Sequence, residues 1–153
     1  MRGMAATDDT RHHKAVALDL IDAYAHADRR LVRERSAGIS TEAGERIASE
    51  LKVFAAFLSR RVQDTGVPWR PADTREAVSR TVADLLDPEV ELAVVTTWEA
   101  YAVGEHEAAR VRAQGDPLVF VHMLAAFSAA VGTAVYGREE LLPTLRAAAE
   151  LSD

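Results

Sequence analysis

The stretch DPLVFVHMLAAFSAAVGTAVYG, residues 116–137, decides the fold. Asp116 offers a capping carboxylate, and Pro117 stands at the first helical position, where a missing N–H costs nothing. Gly137 closes the helix. No charged residue lies between them, and the run is long enough to span a bilayer. His122, Ser128, Gly132, Thr133 and several alanines keep it only modestly hydropathic, however, and no other segment resembles it. The expectation is therefore a central helix of a soluble bundle, buried on several sides. Its two faces differ in size: Phe120, Met123, Leu124, Phe127 and Val131 are bulky, while Ala125, Ala129, Gly132 and Thr133 form a small-residue stripe opposite. Such a stripe admits close approach by another helix of the chain, or by the same helix of a second copy.

Working outward, caps and 3.6-residue periodicity mark five further helices, and no segment shows the alternation of a strand. One is expected from about Asp8 to Arg35, capped by Thr7, with the stripe Ala17, Leu20, Ile21, Tyr24 and Leu31. A second follows Ser40 and ends near Gly66, burying Ile47, Leu51, Phe54, Leu58 and Val62. Asp73 with Glu76 resembles a capping box for a shorter helix expected to bury Val78, Thr81, Val82 and Leu85. Asp87-Pro88 opens a long helix running to Gly115, and a last one covers about Arg138 to Leu151. The reading is all-α: a single domain over 1–153, an antiparallel bundle of about six helices, four long and two short, with 1–7 expected to be flexible. Short connections predict two hairpins, the first helix with the second and the fourth with the fifth.

The chain has 153 residues, no cysteine and a formal net charge of -6. It has the length for a sufficient core. Disulfides, thiolate metal sites and thiol catalysis are excluded, and there is no overall basic field to release counterions from nucleic acid. Without a leader-like apolar run at Met1–Asp9, a cytoplasmic location is expected. No Glu-x-x-His or His-x-x-x-His arrangement places the five histidines for a metal, and no phosphate loop or nucleophile elbow is present, so no cofactor and no metal are expected.

Candidate functional residues come from polar groups at core-like positions. Along the helix expected over 88–115, Val94, Trp98, Tyr101 and Ala108 form an apolar seam with Glu105 in its middle. Asp28 holds a comparable place between Tyr24 and Leu31. In the expected hairpin register His122 lies within about a turn of Glu105. Tyr24, Asp28, Trp98, Tyr101, Glu105 and His122 thus define a candidate ligand pocket between helices. A local basic patch of Arg11, His12, His13 and Lys14 beside Arg60 and Arg61, with Arg70 in reach, is a second candidate. Trp69, in a proline-bounded loop, is expected to plug one end of the bundle.

The resulting functional expectation is a non-enzymatic interaction or self-assembly module, a homodimer or a binder of a protein partner, with neither nucleic acid nor membrane as partner. The alternative is a small-molecule-binding bundle with its pocket near Trp98, Tyr101, Glu105 and His122. An acid/base enzyme using Glu105 and His122 ranks behind both, because nothing supplies a nucleophile or oxyanion site beside them.

Overall fold

Ser40 and Gly66 bound the longest helix as their chemistry dictates: the Ser40 hydroxyl accepts from the Ala43 amide at 3.1 Å, and Gly66 ends the run at a left-handed φ of 74°. In the computed structural model, which describes the backbone of residues 2–66 and 71–150 and the side chains of 9–66 and 74–149, the chain forms α1 (Arg2–Ala25), α2 (Arg29–Ser36), α3 (Thr41–Thr65), α4 (Pro71–Val82), α5 (Pro88–Ala102), α6 (His106–Arg112), α7 (Pro117–Tyr136) and α8 (Arg138–Glu150). The protein is all-α, and no strand occurs among the described residues.

There are eight helices where six were expected, because two of the expected ones are broken. The helix expected through Arg35 stops at Ala25: Ala27 turns left-handed at φ 51°, and the Asp28 amide reaches back to the Ala23 carbonyl at 3.1 Å. The helix expected from Pro88 to Gly115 stops at Ala102 by the same device, with Gly104 at φ 84° and the Glu105 amide bonded to the Ala100 carbonyl at 3.0 Å. Both are six-to-one closures around a left-handed residue, which satisfy carbonyls the helix end would otherwise leave bare. Two starts also move. The first helix begins at Arg2, ahead of Thr7, and the fourth begins at Pro71, so Asp73 lies inside it and not at its cap. The side chains of residues 1–8, Trp69 and Arg70 lie outside the described residues, and with them the expectations placed on a flexible 1–7 and on the Trp69 plug.

Helix α7 is the axle of the molecule. It packs against α1, α3, α4, α5 and α8, and every residue from Val121 to Ala129 is buried. It is also long and apolar enough to cross a membrane by length and composition, and here most of that stretch is buried against the five helices around it. A Cβ built on Gly44, at the start of α3, would stand 3.4 Å from Pro117 at the start of α7, and Val62 and Val131 farther along line one cavity. Helices α3 and α7 therefore run side by side in the same direction. The helix expected over 88–115 is not one continuous hairpin arm: α5 packs against α7, and α6 folds back on α5, which brings Val90 and Ala93 beside Arg112 and Ala113. Arg29 and Arg33 of α2 reach Asp87 at 3.4 and 3.7 Å, and Asp87 makes no side-chain capping bond.

Candidate functional site

The arrangement of α3, α4, α5 and α7 leaves a cavity of ≈ 590 Å³. Small residues on α3, Ala55, Ala56 and Ser59, form one wall, and the aromatic side chains of α5 and α7 form the other. Trp98 stacks on Phe127 with ring centroids 4.9 Å apart and 31° between planes, and Tyr101 extends the row at 6.0 Å from Trp98. Phe120 and His106 meet Tyr101 edge-on at 6.3 and 5.2 Å. Burial by these neighbours raises the Tyr101 phenol pKa, so the ring presents a neutral hydroxyl. Among the described residues lining the cavity, Lys52 carries the single charge.

Three buried polar atoms on α5 and α7 have no hydrogen-bond partner among the described residues: the Trp98 indole Nε1 and the hydroxyls of Thr97 and Ser128. A buried donor left unpaired costs about 1–3 kcal/mol. That so many stand on the two helices carrying the cavity's aromatic wall marks this region as one not optimised for packing alone.

The six residues singled out by sequence do not converge on one site. Trp98 and Tyr101 line the cavity just described. Tyr24 and His122 meet each other instead, in the core between α1 and α7, with Tyr24 Oη 2.7 Å from His122 Nδ1 and the rings edge-to-face. Burial pushes the Tyr24 hydroxyl pKa up and the His122 pKa down to about 4, the nearby Asp116 carboxylate opposing the latter shift in part. The pair is neutral at pH 7. Asp28 is a helix cap: its Oδ1 accepts from the Leu31 amide at 3.1 Å. Glu105 is exposed and starts α6 without a side-chain capping bond. The break at Gly104 destroys the continuous wheel on which Glu105 fell in the seam, so neither its burial nor its approach to His122 occurs. The residues that the sequence reading missed are the small ones, Ala55, Ala56 and Ser59, and the aromatic partner Phe127. A run of alanine and serine along one edge of α3 is the only signal that could have marked the open wall.

The basic patch is also reshaped. Arg61 lies over the Phe57 ring at 5.3 Å and within 4.0 Å of Asp64, so part of its charge is engaged on its own helix. No group of three or more His, Asp or Glu side chains among the described residues is placed to hold a metal ion. Compared with family models, curated proteins and solved structures, the chain matches none.

Proposed function

We propose that the protein is a small-molecule-binding helical bundle, and that the cavity between α3, α4, α5 and α7 takes a mainly apolar ligand with a planar aromatic body. The observation that carries this reading is the stacked row Trp98, Phe127 and Tyr101 facing a small-residue wall across ≈ 590 Å³. That volume falls within the ordinary range for ligand sites, roughly 300–1,000 Å³. Lys52, the one charge among the described lining residues, favours a neutral or anionic ligand over a cation.

The self-assembly reading loses the argument it was built on. It required α7 to be peripheral, with an uncovered apolar side; α7 is central, and Ala125, Ala129 and Gly132 are buried within the chain itself. Among the described residues, the large apolar side chains left for a partner are Val53, Leu92, Val103 and Val111, each more than half exposed. Apolar side chains exposed singly are ordinary on a monomer's surface.

The test uses Trp98 as reporter in a Trp69→Phe background. Titration with 2-naphthoate is expected to quench or shift the Trp98 emission saturably. Ala56→Phe, a change at an exposed position of α3 that puts a ring into the cavity, is expected to abolish the response while leaving the helical signal intact. An emission that stays unchanged through the titration, or a response that survives Ala56→Phe, refutes the proposal.

A further inference from the structure

A second cleft, of ≈ 390 Å³, opens where the start of α5, the end of α6 and the start of α7 meet. Its floor is His122, its walls are Val90, Ala93, Leu118 and Val119, and its rim carries Glu89, Arg112 and Asp116. It lies apart from the Trp98 cavity and shares no lining residue with it.

The state of His122 follows from its one hydrogen bond. Tyr24 is buried, and among the described residues its hydroxyl has His122 Nδ1 as its sole partner. A buried phenol keeps its proton and must place it on an acceptor, so Tyr24 donates and Nδ1 accepts. A neutral imidazole with Nδ1 bare carries its proton on Nε2. His122 makes no other hydrogen bond among the described residues, yet it lines the cleft while being only 7% exposed. The Nε2–H is therefore a fixed, unpartnered donor at the cleft's floor. The core pair with Tyr24 holds the ring in the tautomer that makes it one.

The rim adds charges of both signs that do not neutralise each other. Among the described residues neither Glu89 nor Arg112 has an ion-pair partner, and Asp116 spends one oxygen on the Leu118 amide at 3.0 Å. One carboxylate without an ion-pair partner, a second with one oxygen uncommitted, a guanidinium and an N–H donor around an apolar throat suit a ligand that itself carries both charges. We propose that this cleft binds a small zwitterion of the α-amino-acid type, its carboxylate received by Arg112 and His122 Nε2–H, its ammonium by Glu89 and Asp116, and an aliphatic side chain by Val90, Ala93, Leu118 and Val119. The proposal goes beyond the aromatic-ligand reading and stands without it.

Three probes of nearly one shape separate the charges: L-norvaline, its deaminated counterpart pentanoate and its decarboxylated counterpart n-butylamine. The readout is the pair of ring ¹⁵N resonances of His122 in protein labelled at histidine, assigned by their loss in His122→Gln. In the free protein Nδ1 is expected as the bare nitrogen and Nε2 as the protonated one. Norvaline is expected to shift Nε2 saturably and to bind at least about tenfold more tightly than either single-charge probe, since each lost charge removes a charge-assisted hydrogen bond. Arg112→Met, at an exposed position, is expected to weaken norvaline by about tenfold and leave n-butylamine unchanged. The proposal is overturned if norvaline leaves the His122 resonances where they were, if the three probes bind alike, or if Arg112→Met changes nothing. None of these outcomes touches the Trp98 response to 2-naphthoate, so the two sites are judged separately.

Discussion

Acid is expected to destabilise this protein through His122. The ring is buried and neutral, with its pKa lowered from 6.5 to about 4, whereas in the unfolded chain it titrates normally. Between those values the unfolded state binds a proton that the folded state refuses, so stability falls as pH falls. The contribution is complete above 6.5 and is lost progressively on the way to about 4, at up to about 1.4 kcal/mol per pH unit and about 3 kcal/mol in all. For a domain of marginal stability, about 5–15 kcal/mol, that is a large share. Urea unfolding followed by far-UV circular dichroism, from about pH 7.5 down to about pH 4.5, measures it. His122→Gln supplies the comparison, because it keeps every carboxylate and removes only the imidazole. The wild-type curve is expected to fall more steeply than the variant's, by up to about 1.4 kcal/mol per pH unit, the two converging towards the acid end. Parallel curves would show that the folded state protonates His122 without penalty and would refute both its burial and its tautomer assignment.

Tyr24→Phe leaves His122 Nδ1 buried without its donor and is expected to cost about 1–2 kcal/mol, a fall in Tm of roughly 2–8 °C by thermal denaturation. Gly132→Ala, normally a gain of about 1 kcal/mol in a helix, is expected to destabilise instead, because the new Cβ runs into the buried Leu141 side chain; urea midpoints give the sign. Gly104→Ala meets no neighbour, but it must hold a left-handed φ and is expected to cost about 1–2 kcal/mol in the same assay. Ala129→Arg is expected to abolish the cooperative far-UV transition, since the charge would enter the axis of the bundle; folded monomers of this variant would contradict a central α7.

For α3 and α7 the cap and the glycine in the sequence are enough. Ser40 with Gly66 and Asp116-Pro117 with Gly137 bound α3 and α7 where expected, and the apolar run of α7 pointed to a central place. The break at His26-Ala27-Asp28 carries no glycine or proline, and an alanine in the left-handed region is too costly to anticipate from local preference. Asp28 was consequently read as a seam residue when its carboxylate is a cap. The break at Gly104 did carry its signal, and running one helical wheel through it placed Glu105 in the core and beside His122. What no local pattern holds is the meeting of Tyr24 with His122, 98 positions apart, or the void opposite Trp98, which depends on how far α3 stands from α5 across α7. The aromatic and polar side chains at core-like positions belong to one aromatic cavity, one buried pair and two helix ends, and not to a single place.

The central position of α7 also governs the order in which the molecule can be assembled. On a ribosome the helices that surround it, α1 and α3 to α5, emerge first, at about 5–20 residues per second. Each carries an apolar stripe whose cover has not yet been synthesised. Until residue 136 is free, the growing chain exposes the faces that α7 will later cover, even if pairs that persist in the folded protein, such as α1 against α3, have already formed. Folding of this protein is thus tied to the completion of one segment, and the nascent chain before that point is the form most in need of a chaperone's shelter.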